Sequence, residues 1–376
     1  MSRPAAKGWC PGAYRPMMSG DGLVVRIRPM MGRLTRDQAL GLCDLSERFG
    51  SGLLDLTSRA NVQIRGVAEQ DHKALLQALN TLDLLPDDPE FEARRNILLP
   101  FDWSEGDDSH RIATALLDRL HELPALPAKF GVAIDAVGAP MLGTSSADIR
   151  IERGANGIVL RADGAPLGRS VDLETAADRI LELAEWFAAH ITPDARRMKG
   201  VRAAHALPDI WTQEAPSPPC EKPTPCQHRL GQILGAPFGQ IAAKALHDLI
   251  ETSGATALRT TPWRLFLLEN AVPCETSDFI TSADDPRLTV DACPGAPMCR
   301  SASVETRDLA NSLAGMTTKR IHISGCSKGC ARARPSDLTL VGREGMFDLV
   351  KDGHAWDAPI LTGLSPDDLK TRIGEF

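Results

Sequence analysis

The chain of 376 residues is poor in aromatic side chains, which make up 5% of it and include a single tyrosine. It has no run of about 18 apolar residues, so hydropathy offers no membrane-spanning helix. Its first twenty residues contain no continuous apolar stretch and are interrupted by Pro4, Pro11 and Pro16, which argues against a secretory leader. Positive charge is not in excess: 42 Lys and Arg against 49 Asp and Glu leave a net charge of −7. Nothing therefore draws the whole chain to nucleic acid or to an anionic membrane, and any basic site must be local. The nine cysteines are odd in number and unevenly placed, unlike a disulfide framework. A reduced, cytoplasmic protein is the expectation. What remains is ordinary for a globular chain, 43% apolar and 24% charged, with length for about two to four modules.

The cysteines near the C-terminus carry the strongest signal. Cys293 and Cys299 form C-x5-C, and after 26 residues Cys326 and Cys330 form C-x3-C. Four thiolates are what a cubane [4Fe–4S] cluster needs, one per iron. Tetrahedral zinc is the rival for any four-cysteine set, but its ligand pairs are usually separated by two to four residues. A third reading is unconnected buried thiols. Pro294, Gly295, Gly325 and Gly329 flank the cysteines and allow backbone N–H groups to approach sulfur closely. Cys220 and Cys226 also show x5 spacing, but nothing beside them completes a four-ligand set, and exposed thiols are expected there.

Two segments read alike at an offset of roughly 203 residues, Gly22 to Val67 and Leu230 to Asn270. In the first, Leu23 to Arg28 reads as a strand, and Ala39, Leu42, Cys43 and Leu45 recur at helical spacing. Leu53 to Leu56 and Val62 to Arg65 then read as strands about a turn at Thr57 to Asn61. In the second, Gly235 takes the place of Gly32, Thr260-Thr261 that of Thr57-Ser58, and about one residue of slippage falls within the helix. The stretch Ala215 to Pro225 is too rich in proline for helix or central strand and should run extended. Elsewhere the pattern predicts a helix over Ser109 to Leu123, strands at Gly131 to Val137 and Ile149 to Arg161, and a helix over Leu173 to Ile191. Strands are predicted at Ile321 to Ile323, Leu338 to Val341 and Met346 to Val350, with the C-x3-C pair at a strand-to-helix turn.

Arg26, Arg28, Arg59, Arg65, Arg94, Arg95 and Lys129 fall near predicted turns, and Arg300, Lys328, Arg332 and Arg334 flank the cysteines. Local basic groups in an acidic chain suit a small polyanionic ligand, since arginine grips carboxylates in bidentate fashion. Each one alone is more simply a solvated charge. His322 reads as a buried strand histidine. His205, His228, His247 and His354 lack metal-ligand spacing.

Several segments resemble the sirohaem-dependent sulfite and nitrite reductases. They are Cys293-Pro294-Gly295-Ala296-Pro297-Met298-Cys299, Ser324-Gly325-Cys326-Ser327-Lys328-Gly329-Cys330 and Leu56-Thr57-Ser58-Arg59-Ala60-Asn61-Val62-Gln63. Arg94-Arg95-Asn96-Ile97 and Leu126-Pro127-Ala128-Lys129-Phe130 fall where that family places anion- and haem-contacting segments. Lys7 to Gly12, Pro16 to Gly22 and Leu338 to Gly342 resemble the branch that acts on a tetrapyrrole in aerobic cobalamin biosynthesis. Two departures from the reductases stand out. Gly131 replaces the second lysine of their L-P-x-K-F-K segment, and Lys328 replaces the asparagine of C-P-N-G-C. A site for a small oxyanion needs several cations, so the first departure weakens the reductase reading.

The resemblance implies an α+β fold of two ferredoxin-like half-domains, paired by pseudo-two-fold symmetry, with two α/β sulfite-reductase-type domains. On this chain the half-domains fall at 1–85 and 228–280 and the α/β domains at 86–214 and 281–376, with a Pro-rich linker at 215–227. It implies a monooxygenase that converts precorrin-3A to precorrin-3B with O2, by C20 hydroxylation and γ-lactone formation. A sirohaem- and [4Fe–4S]-dependent sulfite or nitrite reductase is the alternative, and a non-catalytic electron carrier a third class. Cys293, Cys299, Cys326 and Cys330 would hold a [4Fe–4S] cluster, and Arg59, Arg95 and Lys129 would bind substrate carboxylates. A mononuclear non-haem iron is also implied, with no motif to identify its ligands. The implied partners are precorrin-3A, O2 and either NADH or an electron-donor protein, with no nucleic acid and no membrane.

Overall fold

The computed structural model describes residues 11–376, so the Lys7 to Cys10 part of the N-terminal motif lies outside the described residues. Four five-stranded sheets organise the chain. The first runs in the order Met17–Met18, Leu23–Ile27, Val62–Val67, Leu53–Leu56, Gln240–Ala242. The second runs Cys226–His228, Gly231–Gly235, Leu265–Glu269, Ala257–Thr260, Arg33–Thr35. Each is antiparallel, and each takes its last strand from the other repeat: Gln240–Ala242 pairs with Leu53–Leu56, and Arg33–Thr35 with Ala257–Thr260. Two ferredoxin-like half-domains thus exchange strands about a pseudo-two-fold axis. A single core joins them, in which Leu34, Leu42, Leu54 and Ile64 meet Leu246, Leu258 and Phe266.

The internal repeat is real, but its register differs from the expected one. Met31 and Phe238 both adopt left-handed backbone, φ 51° and 55°, inside matching 3-10 turns, and Gly32 (φ 74°) is followed at the same point by Gly239 (φ 78°). Gly239, not Gly235, therefore stands in the place of Gly32. Past the helices Thr57 corresponds to Thr261: each hydroxyl accepts the N–H two residues on, Arg59 and Trp263. The difference lies in the helices Arg36–Phe49, of 14 residues, and Ala243–Ser253, of 11. Three residues are nearly one helical turn, so the shorter helix keeps its buried face while the register changes by three.

The other two sheets are mixed. One runs Arg169–Val171, Ile158–Ala162, Ile149–Arg153, Val132–Asp135, Ile97–Leu98, with the last two pairings parallel. The helices Asp108–Asp118 and Ala176–His190 contribute to its core. The run expected as one strand from Ile149 to Arg161 is a hairpin, turned where Gly154 N–H donates to the Gly157 carbonyl at 2.7 Å. Both strands are buried, and the turn is marked in the sequence itself by Gly154-Ala155-Asn156-Gly157, a Gly/Asn cluster between two β-like stretches. The helix expected to reach Leu123 stops at Asp118 and gives way to a 3-10 turn.

The last sheet runs Val290–Ala292, Ile321–Ser324, Ser336–Arg343, Met346–Gly353, Leu361–Leu364, with its first two pairings parallel. The chain does not enter a helix directly after Cys330. The chain crosses an irregular loop and enters the strand Ser336–Arg343, because Pro335 disfavours helical backbone at Arg334 and cannot donate within a helix. Among the described residues no helix is long and apolar enough to cross a membrane.

The two repeats are tied at one buried side chain. Thr260 Oγ1 is placed 2.6 Å from the Ala60 carbonyl and 3.1 Å from that of Gly32. Thr260→Val keeps the shape and leaves those carbonyls without the donor, so urea unfolding should show a loss of about 1–3 kcal/mol. An unchanged midpoint would mean that the tie contributes nothing to stability.

Candidate active site

The parallel pairing of Val290–Ala292 with Ile321–Ser324 brings the cysteine loops together. Both strands end at the same edge; Cys293 follows the first and Cys326 lies two residues beyond the second. Gly325 N–H donates to Cys293 Sγ at 3.2 Å. A Cβ at Gly325 would stand 2.5 Å from Ala302 Cβ and 3.3 Å from Gly295 Cα, so only glycine lets the two loops approach this closely. Cys299 N–H donates to the Gly295 carbonyl at 2.8 Å, and Thr306 Oγ1 donates to the Cys293 carbonyl.

Cys293 is buried, Cys299 and Cys326 are half-buried, and Cys330 reaches the surface while the surrounding loops crowd its thiol. Burial raises the Cys326 and Cys330 thiols above their ordinary pKa, and the other cysteines of the set raise them further, whereas Lys328 opposes the rise. All four thiols are thus within electrostatic range of one another. The eight described cysteines are free thiols. Among the described residues no three His, Cys, Asp or Glu side chains form a compact metal cage. A cubane binds each thiolate through a different iron, so its ligands stand further apart than those of a single ion. The donor set and the glycine-lined loops fit that group.

The cationic residues divide. Arg59 Nη2 donates to the Lys129 carbonyl at 2.6 Å and to Ser146 Oγ at 3.1 Å. Asn96 Nδ2 donates to the Phe130 carbonyl at 2.5 Å. The segments bearing Arg59, Arg95 and Lys129 are therefore joined at residues 129–130. A Cβ at Gly131 would meet Asn96 Nδ2 at 2.6 Å, so the amide occupies the space beside the position where the reductases carry lysine. Arg95 is buried, with Nε and Nη2 unpartnered among the described residues. Its pKa is lowered, first by burial and also by Arg28, against the opposing pull of Glu92. Arg28 is buried too and donates to Glu92, while its own Nε has no partner among the described residues. Two buried guanidiniums thus lie within electrostatic range of one buried carboxylate, which is bonded to Arg28.

Others of the set are engaged structurally. Arg94 donates to the carbonyls of Leu120 and Leu123, and Arg65 to Asp21 and Asp55. Arg332 joins Arg264 and Arg320 around Asp291. Lys328 Nζ lies 2.7 Å from Ser301 Oγ, and Arg300 and Arg334 are exposed. Glu92 escaped sequence reasoning: a lone glutamate in an exposed-looking helical segment carries no signal that it will be buried against arginine.

Fold and site together define a protein of the nitrite and sulfite reductase superfamily. Residues 15–82 match the family model described as the nitrite/sulfite reductase ferredoxin-like half domain. The structure resembles that of the Mycobacterium tuberculosis NirA protein, with a TM-score of 0.63 at 17% identity over 93% of this chain and 79% of that one. A ferredoxin–nitrite reductase of Synechococcus elongatus is 24% identical over 91% of this chain and 79% of its own length. A precorrin-3B synthase of Sinorhizobium sp is 31% identical over 94% of this chain and 84% of its own. The chain belongs to the precorrin-3B synthase family.

His322 is fully buried on the strand Ile321–Ser324, as expected, and neither ring nitrogen has a partner among the described residues. Its pKa falls from 6.5 to about 4, chiefly through burial, with Arg264, Arg332 and His354 adding to the fall and Asp291 opposing it. The unfolded chain therefore binds the proton more tightly, and the neutral ring's contribution is fully present above pH 6.5 and is lost as pH falls toward 4. His322→Leu should flatten the pH dependence of unfolding across that window, by up to about 1.4 kcal/mol per pH unit. Denaturant titrations at several pH values check this; parallel curves for both proteins would refute it.

Proposed function

We propose that the protein is an oxygen-dependent monooxygenase converting precorrin-3A to precorrin-3B in aerobic cobalamin biosynthesis. The observation that carries this reading is the Arg28–Glu92–Arg95 group, in which buried guanidinium N–H donors remain open among the described residues. Buried donors without partners are costly, and a substrate carboxylate would satisfy them. A tetrapyrrole bearing many carboxylates suits a site with cations on adjoining segments. The precorrin-3B synthase of Sinorhizobium supports the same substrate class. The Asn96 amide against Gly131 adds to it, since a reductase of small oxyanions has a second lysine there.

In this reading Lys129 and Arg95 bind substrate carboxylates, and Arg59 holds the 129–130 backbone while contributing charge to the same wall. Fixing several carboxylates orients one edge of the macrocycle, so that a single meso carbon is presented for oxidation. Overall, one atom of O2 enters the ring and the other leaves as water, with two electrons from a reductant such as NADH or a donor protein. The C20 hydroxylation is accompanied by closure of a γ-lactone from an acetate side chain. A [4Fe–4S] cluster on Cys293, Cys299, Cys326 and Cys330 would supply one-electron transfer. Lys328 and its neighbours would favour the reduced, more negative form of that group.

The test is an anaerobic absorption spectrum with iron and sulfide assays, followed by incubation with precorrin-3A, O2 and NADH. The expected result is a broad cluster band without macrocycle bands, and a product heavier by one oxygen atom. Sharp bands of an iron-containing sirohaem, with sulfite or nitrite reduction, would overturn the proposal. Arg95→Ala should weaken anaerobic precorrin-3A binding by about 10- to 100-fold, as expected for loss of charge-assisted hydrogen bonds. Unchanged affinity removes Arg95 from the site. Lys328→Ala should lower the midpoint potential in a redox titration, and an equal or higher value would contradict its role.

A further inference from the structure

The two repeats carry an ion pair at the same register with opposite polarity. In the first, Arg65 Nη1 on the strand Val62–Val67 meets Asp55 Oδ2 on Leu53–Leu56 at 3.2 Å. In the second, the corresponding residues are Glu269 and Arg259, also paired. All four side chains are buried, so either polarity serves the half-domain that contains it. Polarity decides what the pair can bond beyond its own sheet.

Glu269 accepts a second arginine, Arg33, at 2.8 Å. Arg65 instead donates through Nη2 to the Met298 carbonyl at 3.2 Å, beside Cys299. That carbonyl also receives Gly20 N–H at 3.0 Å and Ser19 Oγ at 2.6 Å. A glutamate at 65 would turn an acceptor toward an acceptor. The other oxygen of Asp55 takes Arg307 Nη2 at 2.8 Å, and Arg307 follows Thr306, whose hydroxyl holds the Cys293 carbonyl. Asp21 bonds Arg65 Nε and Nη2 at 3.0 Å each. One buried pair of the first half-domain thereby reaches both ends of the Cys293–Cys299 loop.

We infer that Arg65 is a positioning residue for the four-cysteine site, clamping the Cys293–Cys299 loop onto the first half-domain, and that the reversed polarity in the second repeat marks the half without this task. The inference rests on the proposed role of the four cysteines as cluster ligands. Its test compares the full-length wild type with Arg65→Leu, Arg65→Lys and Glu269→Gln, all purified anaerobically. The readouts are iron and sulfide per chain, the rate of iron loss to a chelator, the electron paramagnetic resonance spectrum of the reduced protein, and the thermal midpoint.

Glu269→Gln should lower the thermal midpoint yet keep the wild-type rate of iron loss and spectrum. Arg65→Leu should lose iron roughly tenfold faster, the scale of one charge-assisted hydrogen bond, and change the spectrum. Arg65→Lys, which retains charge and a donor, should recover most of both. If Arg65→Leu does not fold, Ser19→Ala decides the matter, because it removes one donor from the Met298 carbonyl and the oxygen that accepts Arg65 Nη2 at 3.3 Å, while leaving the ion pairs intact; faster iron loss is expected. The inference is overturned if the deciding variant matches wild type in rate and spectrum, or if Glu269→Gln accelerates iron loss as much. A wild-type protein with neither iron nor sulfide would overturn the cluster reading itself.

Discussion

The exchange of one strand between the two repeats is the constraint on which the rest of the structure depends. Neither five-stranded sheet is complete without a strand from the other half. The exchange places Thr260 against Ala60, at the end of the turn that carries Arg59. Segment 57–61 is held at one side by the second repeat and at the other by the Lys129 carbonyl and Ser146. A polar side chain anchored on both sides loses little further entropy when it meets a ligand, which is the physical basis of preorganisation.

The second organising feature is the unequal use of charge. Much of the arginine is neutralised locally: Arg161 by Glu152, Arg150 by Asp163, Arg259 by Glu269. The Arg28–Glu92–Arg95 group is different, for Glu92 pairs with Arg28 while the neighbouring buried Arg95 keeps donors unmet among the described residues. An excess positive charge held away from water is unfavourable for the folded chain alone. Its presence beside the Arg59 and Lys129 segments fits a protein organised around an anionic ligand. The same chain uses charge oppositely at Asp55, where two arginines and a second aspartate leave the group balanced and join one half-domain to the cysteine loop.

Much of the architecture was legible in the residues. The C-x5-C and C-x3-C pairs, the repeated order of strand, helix, strand and turn, and the extended Pro-rich segment were all recognisable from spacing and composition. The register of the repeat was not. Gly235 and Gly239 are equally good glycines in a sequence, and only the left-handed backbone at Phe238 and Gly239 shows which one occupies the turn. The hairpin at Gly157, by contrast, is encoded locally, by the Gly154-Ala155-Asn156-Gly157 cluster between its two strands. Among the basic residues, nothing in the flanks of Arg65 or Arg95 tells how each is partnered. One is saturated by Asp21 and Asp55, and the other keeps open donors among the described residues, because the carboxylate beside it, Glu92, is bonded to Arg28.

The sequence by itself determined the local elements and the cysteine donor set, because strand and helix periodicity and ligand spacing are properties of short stretches of chain. Tertiary structure alone decided which groups meet. Parallel pairing of Val290–Ala292 with Ile321–Ser324 brought the two cysteine loops to one edge, and strand exchange aligned the turns of the two halves. Burial of Glu92 then set the charge balance around Arg28 and Arg95. Those outcomes depend on contacts between residues tens to hundreds of positions apart, and no local pattern encodes the distance between them.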